Sequence, residues 1–534
     1  MEQSKPAQGE TALSFLAEKI KRVVSRYDGI VFLGSFALAL LVHMYMLTTK
    51  LINHDDIGGM YSDEKFGLIS GRYLLNFIGG MSAWFSSPWL NGVLAAFFLA
   101  LGVVFTVRLF RVRHYPAAFL IAVTMISFPV VASTYTFMFC AFQYMFALSF
   151  AALGALCITR ERIPWMLGGS VAIALAMGCY QAYFPFAAVL VLTSCMLDLC
   201  TMRWNNDWKR GLLAAVKYVL ALGLAMVLYL VILKICLKAE GAVLTAYQGI
   251  SNWSDITPAK MLERIGLAYE KFFAFYRNDD LLYLDMMPTL SWLSLGTGGA
   301  MVAAYVIKNR LYRQPLNLLL IVICVLLFPL GSALVYLMTD EFVHHVMKYA
   351  LVVTLLFPGI AADRLVLPAG AGLTRPGAKR AAVSVLAALL LVVQLLSGYE
   401  GFVVTNRAYF MMDMSYENAF AYFDRLLTRV ESQPGYTPDS EIAFIGAHRA
   451  NAWIPEVHMA GAAIGNTLMN IYSLRMYLVY IHAFWYNLPS QETFARIQAS
   501  EEFAEMPIYP AEGSIRTIDD VIVVKLTPVA EEDE

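Results

Sequence analysis

The chain carries little charge of either sign. Only 15% of its 534 residues are Asp, Glu, Lys or Arg, where an ordinary soluble domain has about 25%. The two signs nearly cancel, leaving a net charge of -1, so no global field points to nucleic acid or to an acidic partner. Cysteine is missing from the polar stretches: Cys140, Cys157, Cys179, Cys195, Cys200, Cys236 and Cys324 all fall inside apolar runs. Neither a disulfide framework nor a thiolate metal site is indicated. There is no Walker loop, dinucleotide fingerprint or His-Glu-x-x-His motif, so no nucleotide cofactor is expected. The N-terminus lacks the pattern of a cleavable signal. Instead Leu13, Leu16, Ile20 and Val24 alternate with Lys19, Lys21, Arg22 and Arg26, which reads as a cytoplasmic amphipathic segment, residues 1–28, lying on the inner leaflet.

Apolar sequence is what abounds, at 59% of residues. A spanning helix needs about 20 such residues, and Lys and Arg in short loops mark the inner side. These two rules predict a mainly α, polytopic protein of about eleven spans, near 29–48, 89–107, 115–133, 137–158, 164–182, 184–200, 212–236, 288–307, 316–338, 349–363 and 381–402. Basic groups at Arg108 to Arg113, Arg160 and Arg162, Arg203 to Arg210, Lys308 to Arg313 and Arg364 to Arg380 alternate with loops poor in them. The N-terminus is thereby placed in the cytoplasm and the region after span 11 outside, in the cell membrane. Span 10 is short and contains Pro358-Gly359; it decides the side of everything after it. Residues 29–402 form the membrane domain, and 403–534 a small extracytoplasmic α/β domain with a helical stretch from Tyr416 to Val430 and β-like runs at Ile442 to Ile445 and Val521 to Leu526. Residues 65–87, interrupted by Gly71, Gly79 and Gly80, are expected to lie amphipathically along the outer surface.

Chemistry is suggested most strongly by Asn53-His54-Asp55-Asp56, just past span 1. Adjacent carboxylates can raise one another's pKa, take a proton from an attacking hydroxyl or ligate a divalent cation; the bland alternative is a solvated loop. Ser70-Gly71-Arg72-Tyr73 follows, with an arginine able to grip a phosphate by two donors or else to snorkel among headgroups. A short loop near span 10 holds His344, His345 and Lys348 beside Asp340 and Glu341, and a second long loop carries the rival pair Asp279-Asp280, which also reads as a helix cap.

The acidic pair after the first span, the Gly71-Arg72 segment, the many spans and the ending from Met506-Pro507-Ile508-Tyr509-Pro510 through Gly513-Ser514 to Val521–Leu526 resemble the polytopic GT-C-type glucosyltransferases of the Gtr type, which decorate O-antigen and other surface polysaccharides. The resemblance implies a GT-C-like bundle that transfers a hexose, glucose, from a polyprenyl-phosphate donor to a surface glycan on the non-cytoplasmic face. It also implies pathway partners, a polyprenyl-phosphate sugar synthase and a flippase. Asp55 and Asp56 are then the catalytic candidates, with Asp56 slightly favoured. Arg72, Lys348, His344 and His345 are candidates for the donor phosphate, while Tyr472, Tyr477, Trp485 and Tyr486 offer aromatic faces to the acceptor. Contiguous acids rather than an Asp-x-Asp spacing leave a divalent cation as an open question. The alternatives are a flippase or transporter of lipid-linked saccharides and a glycan polymerase or ligase. A transporter calls for charge at the bilayer midplane, whereas here the charges gather at span ends.

Overall fold

The structure is a computed structural model describing residues 25–51, 53, 55–59, 67–245, 257–278, 286–338, 343–365, 377–449, 467–468 and 471–528. The amphipathic N-terminal segment, His54, Asp279, Asp280, Asp340 and Glu341 therefore lie outside the described residues. Ser25 and Asp28 form a reciprocal capping box that starts α1, Arg26–Thr48; each satisfies a backbone N–H that the first turn leaves open. The short helix α2 (Asp56–Gly59) follows, and then α3 (Pro88–Leu109), α4 (Tyr115–Ser127), α5 (Pro129–Tyr135), α6 (Ala141–Ile158), α7 (Ile163–Cys179), α8 (Phe184–Cys200), α9 (Trp208–Glu240), α10 (Pro258–Asn278), α11 (Met286–Lys308), α12 (Pro315–Ser332), α13 (Phe357–Arg364) and α14 (Ala378–Glu431).

Among the described residues eight helices are long and apolar enough to cross a membrane, and a ninth span arises if α4 and α5, bent by 49°, count as one. The expected eleven segments are found at their positions, but two of them are not full-length helices. α7 has 17 residues, and the segment from Tyr349 to Arg364 is split into a 3₁₀ turn and two short helices, the second being α13. Pro358 cannot donate to a continuing ladder. The break survives because it is enclosed: the buried Gln394 of α14 accepts a hydrogen bond from Gly359 N at 2.8 Å and passes one on to Thr124. Non-helical backbone at membrane depth is tolerated only where protein satisfies it in this way.

The same rule explains the bend at Pro129. Losing that N–H strands carbonyls near the end of α4. Tyr349 donates its hydroxyl to Met125 O at 3.1 Å, and His43 Nε2 lies 3.1 Å from Ile126 O. Because a carbonyl can only accept, His43 carries its proton on Nε2, and Nδ1 accepts from Tyr409 Oη at 2.9 Å. That one ring ties α1, α4 and α14 together.

Charge divides the bundle into two ends. At one, Arg108 pairs with Asp28, Arg111 and Arg203 share Asp198, Arg203 also reaches Glu161, and Asp363 accepts from the backbone of Arg113 and His114. The groups expected on one side of the membrane are thus gathered at one end. Asp56, Arg72 and Lys348 are all on loops at the other.

The domain boundary near residue 402 falls within α14, a single helix of 54 residues and therefore about 81 Å long. Its last turns enter the C-terminal module. There β1 (Ile442–Ile445) lies parallel to β5 (Val521–Lys525), which pairs antiparallel with β4 (Ile515–Ile518); β2 (His448–Arg449) and β3 (Thr467–Leu468) form a separate ribbon. Both faces of the three-stranded sheet are covered, so Val521 to Val524 are buried without alternation. One face packs on Phe423, Leu426 and Val430 of α14 and on Tyr477 of α15 (Ile471–Ile481). The other meets Ile497 and Met506.

Ile57, wholly buried, belongs to the core of this module, so the loop after the first span is fastened to the far end of the chain. Ile57→Ala should cost about 2 to 5 kcal/mol. The expected readout is a lower apparent Tm with faster proteolysis inside residues 471–528; an unchanged module would show that the contact contributes nothing.

Candidate active site

Asp56 begins a one-turn helix whose geometry is set by Asn53. The Asn53 side-chain oxygen accepts from Asp55 N at 2.7 Å and from Asp56 N at 3.0 Å, an Asx turn of the kind that favours asparagine before a helix. The turn drives the Asp56 carboxylate inward, where it is 1% exposed. Oδ1 accepts from Phe139 N at 2.7 Å and Ser86 Oγ at 3.0 Å. Oδ2 accepts from Met138 N at 3.3 Å and, at the limit of such a bond, from Asn53 N at 3.5 Å. Met138 and Phe139 open the 3₁₀ turn that feeds directly into α6. The Asp56 carboxyl is therefore seated on the free amides at a helix N-terminus, where the backbone dipole favours its charged form. Burial pushes its carboxyl up to about 7, although the Phe139, Ser86, Asn53 and Met138 donors pull it down.

Asp55 is exposed while its neighbour is buried, as consecutive side chains on a turn diverge. Asp56 is bonded to Met138 and Phe139 and Arg72 to Tyr144, so the acidic loop and the arginine both rest on residues 138–144.

Arg72 is positioned by a segment that lies against the bundle with one face buried and the other exposed. Residues 68–82 form two 3₁₀ turns about the short helix Leu75–Gly79, with Leu75 and Ile78 buried and Phe77 and Met81 exposed. Gly71 has φ +78°, and a Cβ there would lie 2.5 Å from Gln181 Nε2 and 2.7 Å from Tyr229 Oη. Only glycine fits. Gln181 and Tyr229 donate to the Ser70 and Gly71 carbonyls, Leu74 N donates to Gly178 O, and Tyr73 Oη donates to Ala174 O at 2.9 Å. The Arg72 guanidinium then donates to Tyr144 Oη at 2.9 Å and lies 4.9 Å over the Tyr180 ring. Those two rings stack on each other at 4.2 Å. Nothing in the spacing of Tyr144 and Tyr180 marked them for this role; the expectation of an arginine near a phosphate did not include the aromatic floor beneath it.

Lys348 lies beyond the tyrosine turn. Tyr180, Tyr183 and Tyr349 form a run of ring contacts at about 6.0 Å, and the 3₁₀ turn His345–Met347 packs on α5 and on the Gln181–Tyr183 turn. Lys348 is 8% exposed with Nζ 5.9 Å over Phe275; His344 and His345 are half-buried. The structure thus brings Lys348 to the same end of the bundle as Arg72 but gives it a separate position.

The aromatics expected to meet the acceptor divide sharply. Trp485 is 67% exposed, whereas Tyr477 is fully buried and Tyr486 nearly so. Tyr477 packs against Phe423 and His482, and Tyr486 against Phe444 and Phe484. Exposed faces were expected of Tyr477 and Tyr486; they are core residues instead, because α15 and the loop after it pack on α14 and the sheet in one hydrophobic cluster. Tyr472 lies on α15 with its side chain outside the described residues.

Comparison with curated proteins and with solved structures finds no match. The family model described as glucosyl transferase GtrII does match, over residues 44–357, more than half of the chain and a range that runs from the last turns of α1, through the acidic loop, Arg72 and its tyrosines, to Lys348 and the first residue of α13. The chain belongs to the GtrII glucosyl transferase family.

Proposed function

We propose that this glucosyltransferase takes glucose from a polyprenyl-phosphate donor and places it on a hydroxyl of a surface glycan, on the non-cytoplasmic face of the cell membrane, within a GT-C-type bundle. The supporting observation is that Asp56 is hydrogen-bonded to Met138 and Phe139 and Arg72 to Tyr144, so that the acidic loop and the arginine meet at the start of α6. In the proposed reaction an acceptor oxygen bonds to the anomeric carbon and the bond from that carbon to the phosphate oxygen breaks. The electron pair leaves with the lipid phosphate, and the hydroxyl proton passes to a carboxylate. Arg72, held against Tyr144 and over Tyr180, supplies the positive charge that stabilises the departing phosphate. Lys348, with His344 and His345, borders the same end and adds positive potential. A synthase of the lipid-linked sugar and a flippase would supply the donor.

The two acids receive different roles. A carboxylate has about four lone-pair sites, and four donors already converge on Asp56. It is the strut that holds the loop. Asp55, exposed beside it, is the base. The C-terminal module reaches this loop through Ile57 and borders the acceptor, with Trp485 as the described exposed aromatic for a sugar face.

With purified protein, polyprenyl-phosphate glucose and glycan acceptor, Asp55→Asn should reduce turnover about 10² to 10⁴-fold while leaving the fold intact. Near-normal transfer by that variant would remove Asp55 as the base. Arg72→Lys keeps the charge but loses the planar fork that both lies on Tyr180 and donates to Tyr144. It should lower kcat/KM for donor by about ten-fold or more. Full donor affinity in Arg72→Ala would instead assign the residue to headgroup snorkelling.

Asp56 also predicts a pH dependence of stability. Its pKa is raised in the folded protein, from 3.8 to about 7, so the folded state holds the proton more tightly than the unfolded one. Stability is then greatest at low pH and declines as pH rises towards about 7, levelling off above it. Thermal unfolding between pH 5 and 8 should show this decline in the wild type and lose it in Asp56→Asn. An identical slope in both would mean that another group titrates.

A further inference from the structure

A second site lies among helices that take no part in the first. A groove of about 960 Å³ opens between α11, α13 and the first turns of α14. That volume is at the upper end of what dedicated ligand sites enclose. Its α11 wall is low because Gly296, Ala300 and Ala304 face it, with Trp292 beyond them; at its other end stand Lys308 and Arg364. Lys308 and Arg364 are at the basic end of the bundle, the end where Arg108, Arg111 and Arg203 are neutralised by Asp28, Asp198 and Glu161. Among the described residues no carboxylate lies within salt-bridge distance of Lys308, and Arg364 donates only to the Phe110 carbonyl. Its neighbour Asp363 is turned away, onto His114.

We infer that this groove holds one anionic glycerophospholipid, its phosphate between Lys308 and Arg364 and an acyl chain along Ala304, Ala300 and Gly296. The dimensions agree. Gly296 to Lys308 spans about 18 Å along the helix axis, close to one leaflet of a hydrocarbon core about 30 Å thick. Basic pockets between helices at one membrane face suit anionic headgroups. The sugar donor is a poor occupant, since its phosphate must reach Arg72 at the other end. The site is independent of the reading given for Asp55.

The test uses the full chain in nanodiscs of equal phosphatidylglycerol and phosphatidylcholine, extracted mildly and weighed by native mass spectrometry. Retained lipid should be enriched about ten-fold in phosphatidylglycerol. Lys308→Gln with Arg364→Gln should abolish that preference, and Ala300→Trp, which fills the trough and leaves both cations in place, should expel the lipid. Equal retention of the two lipids, or a preference unchanged in both variants, would overturn the inference. So would displacement of the bound lipid by equimolar polyprenyl phosphate, which would make the groove a donor site. Should the double variant fail to fold, Lys308→Gln alone and Ala300→Trp still decide the matter.

Discussion

The carboxylate of Asp56 is the interaction on which the arrangement of this molecule depends. An acid 1% exposed is costly to bury unless donors replace its water, and the donors come from three places: its own turn, Ser86 before α3, and the opening amides of the span at Met138. Those amides are available because Pro129 bends the preceding span by 49° and delivers the chain to a 3₁₀ turn whose N–H groups point away from the helix body. One residue later Ile57 enters the core of the C-terminal module. The acidic loop is thus held on one side by a helix N-terminus and on the other by a hydrophobic socket, and Asp55 is presented from between them. Removing either hold would free the loop without touching Asp55, the residue proposed as the base.

Broken helices inside a bilayer need partners for every freed backbone group, and here the partners are the residues that look most functional in isolation. His43 sits in the last two turns of the first span with both ring nitrogens engaged, stacked 4.3 Å from Tyr135. A buried histidine in a span suggests a proton path; this one caps the Ile126 carbonyl. Tyr349 does likewise for Met125. It follows directly after Lys348, so the hydrogen bond that repairs the bend at Pro129 also fixes the loop carrying that lysine. Local repair and placement of the candidate site are one network.

What could be read in the sequence was what depends on composition and period. The helix from Tyr416 to Val430 and the strands at Ile442 and Val521 were legible because burial on a sheet or helix face leaves a periodic or continuous apolar mark. The acidic pair and Arg72 were legible as charge gathered at span ends. The burial of Asp56 beside an exposed Asp55 was not, because it is decided by whether Met138 and Phe139 lie opposite, and those residues are distant in sequence. The same holds for Tyr144 and Tyr180: aromatic residues in apolar runs look like core, and only the fold puts a guanidinium on them. Tyr477 and Tyr486 failed in the reverse sense, since a tyrosine-rich stretch reads alike whether it faces a sugar or the underside of a sheet.

Sidedness is settled within the molecule by two independent contacts. The segment 349–364 begins beside Tyr183 and Phe128 and ends with Asp363 accepting from the backbone of Arg113 and His114, so it joins the level of the bend at Pro129 to the basic end despite its break. α14 then starts at the basic end and returns, and it is long enough to pass the membrane domain by about 40 Å before it stops, if about 27 residues of it lie in hydrocarbon and headgroups. The second contact does not involve counting spans. Ile57 cannot be buried against Phe423 and Leu426 unless the C-terminal module and the acidic loop share a face. An odd number of crossings between them is impossible once that contact is made, whatever the membrane and whichever side faces the cytoplasm. A glycan held by the module would therefore lie on the side where Asp55 and Arg72 meet, and the module is joined to the membrane domain by α14, one continuous helix, rather than by a linker.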